Sequence, residues 1–497
     1  MTAAIMFQGT GSDVGKSLIV AGLARLFARQ GITVRPFKPQ NMSNNAAPAL
    51  GPGGIYGEIG RAQALQARAA GISPTTDMNP VLLKPQTDIG AQVVVDGHVI
   101  GNADARAYHK MKPDLLASVL AAYHRLSQGA GLILVEGAGS PAEMNLRAGD
   151  IANMGFAEAA DIPVTLIGDI ERGGVIASLV GTWALLPPAE QARLKGYIVN
   201  RFRGDVSLFD DAPPIIAMHT GMNSLGVIPW FDDARLLPAE DTASLRGRYA
   251  ADNWSDALIR IAVPLLPRIA NFDDLDPLAA EPNVALSLIE PGRPIPGDTD
   301  LILLTGSKST RGDLGALRAN GWDTQIYAAA QRGAHIFGIC GGYQMLGHMV
   351  DDPAGIEGKP GVTVGLGLLD IKTIMSAEKR LAPVSGIALA SERNFSGFEM
   401  HMGVTDGTDT SRPFLQFHDG RMDGAQSANG RIAGTYVHGL FSEDPFRAGF
   451  LAQINNHHSS VFPWNQQTDD ILDRLADHLM KHLDTARILE IAGKSRS

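Results

Sequence analysis

Through the first half of the chain, short apolar runs alternate with longer segments of helical period. Ala3–Phe7, Thr33–Phe37, Gly131–Val135, Pro163–Ile167 and Gly196–Val199 read as strands, and Ser17–Gln30 carries its Leu, Ile and Val at the spacing of one helical face. Strands separated by helices return in the same direction, which predicts a parallel, doubly wound sheet. Gly226–Leu237 followed by Pro238, Glu240 and Asp241 reads as a last strand entering a polar connection, so a boundary is expected near residue 250. The alternation then resumes with Leu258–Val263, Val284–Leu288, Leu301–Leu304, a helix over Gly321–Arg332, the strand His335–Ile339 and a helix after Cys340. A second doubly wound α/β domain is therefore expected. Gly361–Leu369 and the run to Met402 read as shorter strands with turns, and Asp469–Leu483 has helical spacing. The predicted domains are residues 1–250 and 251–450, with a helical extension over 451–497.

Composition narrows the class. A chain of 497 residues is too long for one ordinary core, and 45% hydrophobic with 19% charged residues is a globular balance. Apolar stretches such as Gly131–Val135 and Ile259–Val263 fall far short of the roughly 18 residues a membrane helix needs, and no secretory pattern precedes Gln8. A cytoplasmic protein with no membrane partner is expected. The net charge of −10 comes without a long basic block, so no nucleic-acid partner is expected either. A single cysteine excludes an internal disulfide and a cysteine zinc site, leaving Cys340 as core filler or nucleophile.

Two segments carry chemistry. After the first strand, Gly9-Thr10-Gly11-Ser12-Asp13-Val14-Gly15-Lys16-Ser17 leads into a helix. Loop amides and a helix N-terminus facing an anion, with Lys16 adding charge, form a cradle for nucleotide phosphates, and Ser17 is the candidate magnesium ligand. The first glycine stands one place earlier than in the strict P-loop pattern. In the second half, Gly338-Ile339-Cys340-Gly341-Gly342 sets the cysteine between a buried strand and a helix, where a tight turn exposes the thiol beside amides that can bind an oxyanion. His438, at the end of another apolar run, is the candidate base.

The variant loop resembles that of dethiobiotin synthetase-like ATPases, which activate carboxylates as acyl phosphates. That resemblance implies ATP and Mg2+ as cofactors, Lys38 of Lys38-Pro39 near the phosphates, and Glu136 of Glu136-Gly137-Ala138-Gly139 as a second magnesium ligand. The cysteine segment resembles class I glutamine amidotransferases, whose domain is flavodoxin-like, and implies Gly306 and Gly341 as oxyanion donors. Most class I members carry a carboxylate two residues after the histidine, where this chain has Leu440. Its absence is a feature of the cobyric acid and cobyrinic acid diamide synthase branch, which implies a Cys340–His438 pair without a third member. The nearest acids downstream are Glu443 and Asp444.

Longer motifs resemble the cobyric acid synthase family: Lys38-Pro39-Gln40-Asn41-Met42-Ser43-Asn44-Asn45, Gly57-Glu58-Ile59-Gly60-Arg61-Ala62-Gln63, Gly168-Asp169-Ile170-Glu171-Arg172-Gly173-Gly174 and Gly397-Phe398-Glu399-Met400-His401-Met402-Gly403. The resemblance implies amidation of four carboxylates of adenosylcobyrinic acid a,c-diamide with glutamine and ATP, Arg172, Arg201 and Arg203 being candidates for steering the polyanionic corrinoid. It also leaves room for a homo-oligomer. Two alternatives remain at this point: a sister ligase of the a,c-diamide synthase type, and a P-loop switch ATPase with an inactive second domain.

Overall fold

Strands of four to nine residues build the first sheet of the computed structural model, which describes residues 2–85, 90–238, 249, 254–457 and 462–493. Its order is Ser224–Pro229, Leu194–Phe202, Val164–Asp169, Ala3–Gly9, Leu132–Glu136 and Val34–Phe37, all parallel. The P-loop strand Ala3–Gly9 is central, and its side chains Ile5, Met6 and Phe7 are fully buried because helices cover both faces. One covering helix, Lys16–Arg29, buries Ile19, Val20, Leu23 and Phe27. It shares its core with Ile471, Leu472, Leu475 and Leu479 of the helix Trp464–His482. Each such buried aliphatic side chain contributes roughly 1.5–3 kcal/mol. Gly22 is small because a Cβ there would lie 2.8 Å from Leu475.

The chain divides into two compact units, one comprising Met1–Ser43, Ala49–Leu237 and Thr468–Ser497, the other Asn44–Pro48 and Pro238–Gln467. The segment expected as a separate extension is thus shared out, its last part belonging with the P-loop sheet. The boundary expected near residue 250 falls among 239–248 and 250–253, outside the described residues.

In the second unit the parallel strands lie in the order Val284–Ile289, Ile259–Pro264, Leu301–Leu304, His335–Ile339 and Ile432–Thr435, with Ala425–Gln426 antiparallel at the edge. Numbered along the chain the parallel strands run 2-1-3-4-5, the flavodoxin-like winding, whose binding crevice lies beyond the carboxyl ends of the strands. The stretch expected to hold shorter strands contains instead a long antiparallel hairpin, Lys372–Ala388 with Arg393–Asp406. Pro383, Gly386 and many polar residues interrupt its alternation, and the register slips between Ile374 and Lys379, so no two-residue period marks it. Phe398 and Glu399 of this hairpin pair with His438 and Val437. Among the described residues no helix is long and apolar enough to cross a membrane.

Candidate active sites

At the carboxyl end of the first sheet the loop Gly9–Ser17 turns through two left-handed residues, Asp13 (φ 58°) and Gly15 (φ 91°). At Gly15 a Cβ would also collide with the Asn200 carboxamide, which donates to the Val14 carbonyl at 2.8 Å. The helix after Gly15 has no side-chain cap, and its N-terminus points the positive end of its dipole at the loop, where an anion is favoured. Lys16 folds over the loop and donates from Nζ to the carbonyls of Gly11 (3.0 Å) and Gly139 (3.2 Å).

Below the loop, Glu136 is 1% exposed and collects three donors. Ser17 Oγ and Lys38 Nζ each reach its Oε1 at 2.7 Å, and Gln66 Nε2 reaches Oε2 at 2.6 Å. Strand register explains the meeting, since Glu136 ends the strand beside the P-loop strand, opposite Phe7. A carboxylate and a hydroxyl side by side are the hard oxygen donors that Mg2+ takes, so these residues fit that ion. Lys16, Ser17, Lys38 and Glu136 are therefore brought together as a set. Gln66 is an addition that the sequence did not single out, because a glutamine inside a helical run carries no local signal of its partner.

Cys340, the nucleophile candidate of the second unit, sits at φ 53°, ψ −108° between the strand His335–Ile339 and the helix Gly341–Leu346. Such a conformation costs on the order of 1–3 kcal/mol and persists only where packing enforces it. The flanking glycines do so by close approach: a Cβ on Gly338 would lie 2.6 Å from the Tyr343 nitrogen, and one on Gly342 would overlap the Leu304 carbonyl. The sulfur is 3.6 Å from the Met400 carbonyl oxygen. A Cβ on Gly341 would come 2.8 Å from the Ser307 amide nitrogen, and one on Gly306 3.0 Å from His438 Cε1. Cys340, Gly341, Gly306 and His438 thus converge, with the Ser307 amide beside them.

The histidine is not left to a two-residue pair as expected. Asp274, in the turn Phe272–Leu275, accepts from His438 Nδ1 at 2.7 Å through Oδ2 and from the Gly439 amide at 2.6 Å through Oδ1. Both side chains are buried, at 1% and 3% exposure, and the Phe398 ring stacks on the imidazole at 5.4 Å. Burial alone would lower the imidazole pKa, but the Asp274 carboxylate and Cys340 together raise it from 6.5 to about 10. Glu443 and Asp444 are engaged elsewhere: Glu443 accepts from the Ser396 hydroxyl, and Asp444 from Arg447 (3.0 Å) and the Trp464 amide (3.1 Å). The carboxylate comes from 164 residues upstream in the chain, which is why no motif around His438 disclosed it.

Of the arginines expected to steer a polyanion, Arg201 pairs with Asp169 at 3.1 Å, and Arg203 pairs with Glu171 at 3.0 Å and lies over the Trp230 ring. Arg172 is exposed on the loop after the strand Val164–Asp169.

A phosphate-binding loop on one sheet and a cysteine elbow with an acid-oriented histidine on another define an ATP-dependent, glutamine-using amidating ligase. The two halves match family models accordingly: residues 5–245 the CobQ/CobB/MinD/ParA nucleotide binding domain, and residues 260–446 the CobB/CobQ-like glutamine amidotransferase domain. Whole-chain relatives described as cobyric acid synthase come from Methylobacterium nodulans (57% identical over 493 residues, 99% of this chain and all of the relative) and Methylorubrum populi (56% over 491 residues, 99% of each). Another, from Xanthobacter autotrophicus, is 57% identical over 494 residues. The chain belongs to the cobyric acid synthase family.

Proposed function

We propose that this enzyme amidates the b, d, e and g carboxylates of adenosylcobyrinic acid a,c-diamide, taking nitrogen from glutamine and using ATP with Mg2+, in the cytoplasm. The observation that best supports this is that one chain gathers Ser17 and Glu136 beneath the Lys16 loop and, separately, His438 and Asp274 beside the Cys340 elbow.

In the second unit, Cys340 Sγ attacks the side-chain amide carbon of glutamine and its proton resides on His438 Nε2. Asp274 keeps the proton on Nδ1 and stabilises the imidazolium. The amide of Gly341 and that of Gly306 or Ser307 take the tetrahedral oxyanion. His438 returns the proton to the leaving nitrogen, ammonia departs, and a thioester remains. Water, deprotonated by the same histidine, then releases glutamate and restores the thiol.

In the first unit, a free carboxylate is a poor electrophile, so ammonia can displace nothing until an oxygen is made a leaving group. ATP supplies that activation by phosphoryl transfer. Lys16 and the loop amides would hold the phosphates, Ser17 and Glu136 would hold a magnesium ion, which would supply neutralisation of developing charge, and Lys38 and Gln66 fix Glu136 in place.

The test is incubation of the purified protein with the a,c-diamide and ATP–Mg2+, with either glutamine or an ammonium salt, reading product masses. Lys16→Ala is expected to abolish amidation from both nitrogen sources. Cys340→Ser is expected to lose only the glutamine-dependent reaction. Ammonia-dependent synthesis surviving in Lys16→Ala at near wild-type rate would overturn the phosphate-site role.

A further inference from the structure

An oxyanion hole made of backbone amides is only as good as the loop that aims them, and the loop Gly306–Ser309 has a dedicated anchor. Two of its residues form a short antiparallel pair, Gly306 with Ala270 and Ser307 with Ile269. Beyond the pair the loop relies on Asp313, a residue 1% exposed in the first turn of the helix Thr310–Ala319. Ser307 Oγ donates to Asp313 Oδ2 at 2.6 Å, and the same hydroxyl oxygen accepts from the Ser309 amide at 3.0 Å. The other carboxylate oxygen, Oδ1, accepts from the Arg268 amide at 3.1 Å, and the Lys308 amide donates to the Arg268 carbonyl at 2.9 Å. One carboxylate therefore ties both sides of the loop at once, with the Ser307 amide facing Gly341.

We infer that Asp313 is a positioning residue for glutamine hydrolysis: through Ser307 and Arg268 it aims the Gly306–Ser307 backbone at the oxyanion that forms on Cys340. This rests on Cys340 being the nucleophile, and concerns a residue that touches neither substrate nor sulfur. A surface helix residue would not need two buried acceptor bonds to a neighbouring loop. A buried carboxylate is costly to keep charged unless its hydrogen bonds are used.

The groups facing Asp313 are the Ser307 hydroxyl, the Arg268 amide and guanidinium, and Glu357, which itself accepts from the Thr310 and Arg311 amides. Burial, aided by the Glu357 charge, raises the Asp313 carboxyl from 3.8 to about 6, despite the two donors. Protonation near that pH removes one acceptor and releases one side of the loop.

The experiment compares Asp313→Asn and Ser307→Ala with wild type in the full-length enzyme. Removing an oxyanion donor outright costs about 10²–10³ in turnover, so misaiming one is expected to lower kcat for glutamine by about ten- to hundredfold. KM for glutamine and ammonia-dependent synthesis should stay within about threefold, since neither step uses the oxyanion hole. Wild-type glutaminase kcat should fall below about pH 6, and that limb should be absent in Asp313→Asn. Alkylation of Cys340 by a chloroketone analogue of glutamine should slow with kcat, whereas alkylation by iodoacetamide should not. Wild-type kcat in both variants overturns the inference. So does an equal slowing of both alkylating agents, which would mean that the elbow itself had moved; glutamine-dependent synthesis surviving in Cys340→Ser would instead count against the nucleophile assignment.

Discussion

Replacing Asp274 by asparagine is the sharpest perturbation the glutaminase site allows, since it removes one charge and preserves shape. The Oδ2 to Nδ1 contact of 2.7 Å lies in a region where both partners are buried, so solvent does little to screen it. The rise of the His438 pKa from 6.5 to about 10 is worth about 5 kcal/mol at about 1.4 kcal/mol per pH unit, net of the burial that opposes it, and is shared between Asp274 and Cys340. Assigning half or more of it to Asp274 gives about 2.5–5 kcal/mol, a factor of roughly 10²–10⁴. The carboxamide adds a second penalty, because an NH2 turned toward Nδ1 stabilises the tautomer that cannot accept the sulfur's proton correctly. In an acid–histidine–nucleophile site this combination costs on the order of 10⁴. We therefore expect Asp274→Asn to lower glutamate release about 10³-fold while ammonia-dependent synthesis is retained. The assay is initial-rate glutamate production at saturating glutamine, with amidation from ammonium salt as the internal control for folding. A loss smaller than tenfold in a folded variant would refute the triad and return His438 to a two-residue pair.

The downstream acids supply a matched control: Glu443→Gln combined with Asp444→Asn should keep glutaminase turnover within about tenfold, whereas His438→Ala should lose the roughly 10²–10⁴ of a general base, both read by the same glutamate assay. A thousandfold fall in the double variant would point to a second orienting carboxylate. The histidine also links to stability. Its pKa is raised in the folded state, so its contribution is fully present below about 6.5 and is lost as pH climbs toward about 10. Calorimetry of wild type against His438→Gln should therefore show a Tm difference that shrinks across that interval, and a constant difference would contradict the ion pair. At the elbow, Gly342→Ala should abolish soluble folded protein or glutaminase activity, because its methyl would overlap the Leu304 carbonyl; near-normal kcat would mean the turn is looser than described.

How much of this was legible in the sequence follows from how local each device is. The P-loop and the cysteine elbow are contiguous, and their glycines record steric demands made by the next turn of chain, so residue order alone discloses them. Glu136 ends the strand beside the P-loop strand and Lys38 follows the next strand out, and a parallel sheet brings strand ends together by construction. Asp274, Gln66 and Asp313 act through single side chains whose partners are distant or lie across a turn, and nothing in their immediate neighbours distinguishes them from solvated polar residues. The long hairpin escaped for a different reason, since a two-sided ribbon with bulges and a proline has no periodic apolar face to read.

The way the chain is shared between its two units bears on how such an enzyme can be taken apart. Residues 44–48 are counted with the amidotransferase sheet although they follow the second strand of the P-loop sheet, and in that unit the Ala46 amide donates to the Asn271 carboxamide at 3.2 Å. Residues 468–497 make the reverse journey, returning at the end of the chain to the P-loop unit, where Asp473 pairs with Arg25 at 2.8 Å. A single cut in the linker would therefore yield two fragments that each lack a piece of themselves and carry a piece of the other. A laboratory split there would leave the P-loop unit without Ile471, Leu472, Leu475 and Leu479, which share its core.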